Sequence, residues 1–239
     1  MISNSVSNKN WIFKKYNEQD VVFYKENYSL DELTSKLLSI RNIKKENVQA
    51  FLKPSIKNFL PNPEIINDMQ KSAKRTKDAI AQKSKIGIFG DYDVDGASAT
   101  ALLANFFKSI NIPYEIYIPD RKREGYGPSK ESFKKLIDNG AKLIFTVDCG
   151  TLSFEAIDFA YDNNIDVIVL DHHQSEINLP KAFSIVNPNR LDDKSDLKYL
   201  CAAGVTFMFL ISLNKELRSV EWFIKSKITE PNLLEYLDL

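Results

Sequence analysis

Near the middle of the chain the heptapeptide Gly90-Asp91-Tyr92-Asp93-Val94-Asp95-Gly96 carries three carboxylates in alternation. Two later stretches, Asp148-Cys149-Gly150 and Asp171-His172-His173, add two more acids and both histidines of the chain. A single aspartate after a strand is ordinarily a helix cap or a turn residue, and a lone histidine is ordinarily a core or surface residue. The set is more informative than its members. An extended backbone through 91–95 would put Asp91, Asp93 and Asp95 on one side, where their repulsion is costly unless a cation neutralises them. Oxygen-rich ligation with one or two imidazoles suits Mn²⁺, or Mg²⁺, and argues against a thiolate zinc centre. Two such cations about 3.5–4 Å apart stabilise the attacking and leaving oxygens of an in-line phosphoryl displacement. The chemistry expected of these residues is phosphoester hydrolysis.

The three acidic stretches can meet only if the elements that carry them end side by side. From Lys85 onward short β-rich runs alternate with helical stretches, the signature of βαβ units in a parallel sheet. Strands are expected at Ile86 to Phe89, Tyr114 to Ile118, Leu143 to Val147, Val167 to Leu170 and Phe183 to Val186. Helices are expected at Ala97 to Ser109, Ser129 to Asn139 and Phe154 to Asn163. In an open parallel sheet the carboxyl ends of the strands share one edge, where such folds bind ligands, so the acids should converge there. Before Lys85 the pattern differs. Residues 1–30 show no sustained period, Leu30 to Leu52 has helical spacing, prolines at 54, 61 and 63 mark a loop, and Pro63 to Lys83 is again helix-like. The expected fold class is α/β, a mostly parallel sheet flanked by helices. A small helical N-terminal segment, 1–63, precedes the main domain, 64–239.

Lys plus Arg balances Asp plus Glu at 32 each, so no global field draws the chain to a polyanion and any such site must be a local basic cluster. Cys149 and Cys201 lack CxxC spacing, which argues against a disulfide framework or a structural zinc site and reads as two buried free thiols in a reducing compartment. The first fifteen residues build no apolar core of an export signal. The longest apolar run, Leu200 to Leu213, is shorter than the roughly 20 residues a bilayer-spanning helix needs and reads as a buried helix. A cytoplasmic protein with no membrane partner is expected.

Gly90 to Gly96 (GDYDVDG), Val147 to Gly150 (VDCG) and Asp171 to His173 (DHH) resemble the first three motifs of the DHH phosphoesterase family, in order and at suitable spacing. The GDYDVDG form is similar to that of the RecJ-type exonucleases; small-molecule members typically carry a histidine in this motif. Arg121 to Gly127 (RKREGYG), Val186 to Arg190 (VNPNR) and Cys201 to Val205 (CAAGV) add to the likeness. The resemblance implies that Asp93, Asp95, Asp148 and His172 are metal ligands, with Asp91 a further ligand or a neighbouring acid. It implies that Asp171 orients the histidine pair and that His173 contacts the scissile phosphate or protonates the leaving oxygen. It also implies that the basic segment from Asp120 to Lys130 meets substrate, with Arg121, Arg123 and Tyr126 as binding residues and Arg121 as the phosphate fork.

The function implied is a 5′-to-3′ single-stranded DNA exonuclease of repair and recombination, using two Mn²⁺ or Mg²⁺ ions, with single-stranded DNA as its partner. Two other readings stand beside it: a phosphodiesterase of short oligonucleotides or cyclic dinucleotides, and a non-catalytic α/β module that binds metal or nucleic acid. Such enzymes carry a fourth aspartate motif and a DHH-associated domain. This sequence stops at Leu233 to Leu239 without them, and Asp238 lacks the context of that motif, so a weak or inactive fragment is expected.

Overall fold

The computed structural model describes residues 6–7 and 9–237; Asp238 lies outside them. Within the first of two units, Met1–Pro61, Asn17 and Asp31 each accept a backbone N–H two or three residues on (2.8 and 2.9 Å), and the chain turns helical after both, as such caps favour. The helices are α1 (Glu18–Tyr28), α2 (Glu32–Ile40), α3 (Val48–Leu52) and α4 (Ile56–Phe59). Helix α1 falls where the sequence shows no period. Its apolar residues Val21, Val22, Phe23 and Tyr24 are contiguous, and only Val21 and Tyr24 are buried. What holds it is a small core of Tyr24, Leu38 and Val48, with the Tyr24 hydroxyl donating to the Ile43 carbonyl at 2.6 Å.

The second unit, Asn62–Leu239, is the α/β part. Helix α5 (Met69–Ala81) precedes β1 (Ile86–Gly90), α6 (Val94–Ser109), β2 (Tyr114–Tyr117), α7 (Lys130–Asp138), β3 (Leu143–Val147), α8 (Phe154–Asp162), β4 (Asp166–Leu170), β5 (Ser184–Val186), α9 (Ala202–Ser219) and α10 (Trp222–Ser226). All five strands pair in parallel, in the order β2-β1-β3-β4-β5. β1 and β3 are buried at every position, as expected where helices cover both faces of a parallel sheet. On one face Phe106, Phe107, Phe145 and Phe209 join a core built from α5, α6 and α9; on the other, Phe89, Phe133 and Ile157 pack under α7 and α8.

The register fixes the geometry of the carboxyl edge. Gly90 lies opposite Val147, Val147 opposite Leu170, and Leu170 opposite Val186. The strands therefore end level, and the next residue of each, Asp91, Asp148, Asp171 and Asn187, falls in one row. The ladder continues into that row: Asp148 N–H donates to the Leu170 carbonyl (3.0 Å) and Asp171 N–H to the Val186 carbonyl (3.1 Å). The strand order reverses between β1 and β3, the switch point at which open α/β sheets bind ligands.

Candidate metal centre

The GDYDVDG stretch is not an extended ribbon. β1 ends at Gly90, Asp93 is the N-cap of α6 with Oδ1 accepting from Gly96 N–H at 2.9 Å, and Asp95 lies in the first helical turn. The acids are gathered by a strand-to-helix turn, not by strand alternation, because capping satisfies an otherwise orphaned helix N–H. Gly96 serves close approach: a Cβ there would stand 2.7 Å from the Asp91 carbonyl oxygen and Cβ. Gly150 plays the matching part after β3, where it holds a φ of 110° and a Cβ would meet the Thr146 hydroxyl at 2.4 Å. Between them Asp148 adopts a φ of 60°, a left-handed conformation that aspartate tolerates better than most residues.

Two groups of ligand atoms converge, each within 4.8 Å: Asp91, Asp93 and Asp148; and Asp148, His172 and His173. Asp148 belongs to both and is 2% exposed. Its Oδ1 and that of Asp91 are buried without a hydrogen-bond partner among the described residues. Burial and the charges of Asp95 and Asp93 push the Asp148 carboxyl up to about 8. Burial also raises Asp91, whereas the Gly96 N–H holds Asp93 below the usual carboxylate range. Crowded carboxylates with orphaned buried oxygens, beside imidazole nitrogens, are the donor set a hard divalent cation requires.

Asp95 stands apart from both groups. Its carboxylate accepts the Ala202 and Ala203 N–H groups at 2.6 and 2.8 Å, so it closes the N-terminus of α9. It also approaches His172 Nε2 at 3.4 Å, while that nitrogen lies 3.2 Å from Asp148 Oδ1. Asp171, 1% exposed, is a hub. Oδ1 accepts His172 N–H (2.7 Å) and His173 N–H (3.2 Å) and lies 2.8 Å from His173 Nδ1; Oδ2 accepts Thr151 N–H (3.1 Å). Burial alone would raise this carboxyl, but the bonds from His173 and Thr151 hold it at about 2. The hydrogen bond to Asp171 in turn raises His173 to about 8.

Tyr126, flanked by two glycines in the left-handed region, lays its hydroxyl over the site, donating to the Asp148 carbonyl at 3.1 Å and lying 3.4 Å from His173 Nε2. Of the basic residues, Arg121 lies beside the turn that follows β1, its guanidinium 4.9 Å from the centroid of the Tyr92 ring, and its charge acts to lower the Asp91 carboxyl. Arg123, exposed like Arg121, pairs instead with Asp120 at 3.9 Å. Lys130 pairs with Glu155. The cysteines differ from expectation in one case, since Cys149 is buried but Cys201 is exposed, sitting at the entry of α9 where its Sγ accepts from Gly204 N–H.

Two residues of the site carried no role in the sequence reading. Asn187 Nδ2 donates to Thr151 Oγ1 and to the His173 carbonyl, both at 2.9 Å, and Asn189 Nδ2 donates to the His172 carbonyl. The VNPNR stretch thus clamps the backbone of the histidine pair from the neighbouring strand. A polar residue directly after an apolar strand, as at the three acidic ends, was the available signal. Among the described residues no helix is long and apolar enough to cross a membrane.

Comparison with known proteins places these features in a known set. The family model described as "DHH family, N-terminal domain" matches residues 85–236. The single-stranded-DNA-specific exonuclease RecJ of Bacillus subtilis is 32% identical over 212 residues, covering 88% of this chain and 27% of that protein. RecJ of Escherichia coli is 37% identical over 191 residues, covering 79% and 33%. The chain therefore spans about a quarter to a third of these curated relatives. A crystal structure of exonuclease RecJ bound to manganese superposes with a TM-score of 0.58 at 30% identity, covering 64% of this chain and 38% of that one. RecJ from Thermus thermophilus in complex with Mn²⁺ superposes at 0.69 and 22% identity, covering 86% and 28%, a likeness of fold.

Proposed function

This chain belongs to the DHH family, and from that premise we propose that it is the metal-holding part of a divalent-metal-dependent exonuclease acting 5′ to 3′ on single-stranded DNA. The observation that carries the reading is the pair of buried carboxylate oxygens without a hydrogen bond among the described residues, Asp91 Oδ1 and Asp148 Oδ1, the latter 3.2 Å from His172 Nε2, at the centre of five aspartates and two histidines on the switch-point edge. The similarity to single-stranded-DNA-specific exonucleases over 88% of the chain supports the choice of substrate. Asp91, Asp93, Asp148 and His172 would hold Mn²⁺ or Mg²⁺, with Asp95 completing the shell through the oxygen lone pairs that the α9 N–H groups leave. Bound there, such ions supply charge neutralisation to the oxygens of an in-line phosphoryl displacement.

The chain's own residues do the rest. Asp171 fixes the ring of His173 through Nδ1, leaving Nε2 to face the reacting phosphate, and keeps the imidazole protonated near neutral pH, the state needed to give a proton to a leaving oxygen. Tyr126 steadies the same ring edge-on, with centroids 6.0 Å apart. Arg121 offers a planar fork to a substrate phosphate. Arg123, committed to Asp120, contributes general positive charge at the loop.

The test is release of mononucleotides from 5′-phosphorylated single-stranded DNA on addition of Mn²⁺, read against duplex DNA, a 5′-blocked strand and a cyclic dinucleotide. Preference for the free 5′ single strand, lost in Asp148→Ala, is expected. Turnover of the cyclic dinucleotide alone, or no binding of Mn²⁺, would overturn the reading.

A further inference from the structure

We infer that Tyr92, the residue between the first two acids of GDYDVDG, is a positioning residue: its ring holds the Arg121 guanidinium at the mouth of the acidic cluster, with the N–H fork open toward an anionic substrate. The inference rests on the functional reading above for the identity of that substrate, but the positioning itself stands on geometry.

Arg121 lies in a loop in which Asp120, Arg123 and Glu124 are committed to one another or to Tyr117. Glu124 accepts the Tyr117 hydroxyl and, at 3.0 Å, the Asp120 N–H. Asp120 accepts the Lys122 N–H at 2.9 Å and pairs with Arg123. The loop carbonyl of Asp120 receives the N–H groups of Arg123 and Glu124 (3.0 and 2.7 Å). Arg121 makes no ion pair with any carboxylate among the described residues, although five aspartates stand at the neighbouring edge. Its guanidinium lies over the Tyr92 face, 4.9 Å from the ring centroid, inside the range over which a guanidinium is held by an aromatic quadrupole.

Such a contact leaves the hydrogen-bonding edge of the guanidinium free, because stacking uses its face and salt bridging uses its N–H groups. An arginine collapsed onto Asp91 or Asp93 would compete for the oxygens that a cation needs and would present no donors outward. Tyr92 prevents both. It is half-buried in the turn that follows β1, so its backbone is fixed by the same turn that caps α6, and the position of the arginine is tied to that of the acids. A substrate phosphate meeting Arg121 would then enter at a set distance from the cluster.

The experiment uses the full chain and four variants: Tyr92→Phe, Tyr92→Leu, Arg121→Ala and the Tyr92→Leu/Arg121→Ala double. Arg121 side-chain resonances are followed by NMR, Mn²⁺ binding by calorimetry, and binding of a 5′-phosphorylated oligothymidylate by fluorescence anisotropy. Ring-current-shifted Arg121 signals are expected in the wild type and in Tyr92→Phe, and loss of that shift in Tyr92→Leu with Mn²⁺ binding retained. Oligonucleotide affinity should fall about two- to five-fold in Tyr92→Leu, recover in Tyr92→Phe, and show no further loss when Tyr92→Leu is added to Arg121→Ala.

Unshifted Arg121 signals in the wild type, or additive losses in the double variant, would overturn the positioning. Tyr92→Leu that loses Mn²⁺ binding in step with oligonucleotide binding would also overturn it, by assigning the ring to the turn alone. Shifted Arg121 signals in a wild-type chain that binds no oligonucleotide would instead overturn the functional reading and the substrate half of the inference, leaving the contact itself in place.

Discussion

At the scale of the residue, the centre is governed by two aspartates buried to a similar degree and driven in opposite directions. Asp171 receives three backbone N–H groups and the His173 ring, and stays ionised; Asp148, pushed by burial and then by the charges of Asp95 and Asp93, rises to about 8. Burial raises both, and the hydrogen-bond donors that only Asp171 has decide the difference between them. Because the folded Asp148 carboxyl sits above its unfolded value, its stability contribution is present at low pH and is lost as pH rises toward 8. His173, also raised, acts in the same direction between its ordinary value and about 8. The metal-free chain should therefore melt lower at pH 8 than at pH 5, and Asp148→Asn should reduce that difference while abolishing the stabilisation given by Mn²⁺; thermal melts across pH with and without the ion would read both effects. Asp171→Asn should bring the His173 titration, followed by NMR, down from about 8 toward 6.5. With His173 acting as the proton donor, kcat should fall by roughly 10²-fold in that variant.

At the scale of the element, the level ends of four parallel strands create the site, and α9 is tied to it through one side chain. Asp95 occupies the place of a helix cap for α9 although 107 residues separate it from Ala202. Its loss should be felt in stability as well as in metal affinity. Asp95→Ala should cost about 1–2 kcal/mol, the usual range for removing a capping acceptor, measured by denaturant unfolding without metal; Asp95→Asn, which keeps an acceptor, should cost less. Asp148→Ala should show the reverse balance, with metal affinity lost and metal-free stability kept or improved. No metal-free destabilisation in Asp95→Ala would mean that the contact between Asp95 and α9 contributes nothing to α9. Asn187 is the other link between elements. Asn187→Ala leaves the Thr151 hydroxyl and the His173 carbonyl without their donor, at about 1–3 kcal/mol for unsatisfied buried groups.

At the scale of the whole molecule, stability and metal are linked by mass action. The Asn62–Leu239 unit contains every element of the site, and a cation that binds only its folded form should stabilise it by about 2.7 kcal/mol at one hundred times the dissociation constant. For a unit of this size that corresponds to a rise of about 5–10 °C in its melting temperature. Differential scanning calorimetry with Mn²⁺, Mg²⁺ and Ca²⁺ would measure it. No shift with any divalent ion would remove the metal centre and, with it, the proposed exonuclease. Net charge near zero gives little long-range attraction to DNA, so salt dependence of binding should be shallow and should flatten further in Arg121→Ala.

The sequence by itself determined the strands and the acidic and imidazole residues that follow them. Apolar runs of strand length ending in Asp91, Asp148 and Asp171 are local features, and local features survive reading one dimension at a time. It did not determine α1, whose apolar residues are contiguous and whose helix is held by contacts with Leu38 and Val48 from elsewhere in its unit. Nor did it determine how the three acids of GDYDVDG are gathered: alternation suggested a ribbon, and the strand-to-helix turn won because Asp93 caps α6 and Gly96 packs against Asp91. Asp95 closing α9, Asn187 clamping the histidine pair and Tyr92 bearing Arg121 were decided only in three dimensions. The physical reason is common to all three: each is a hydrogen bond or ring contact between segments 14 or more residues apart, and no spacing along the chain encodes which side chain will fill an open donor or acceptor once the strands have come level.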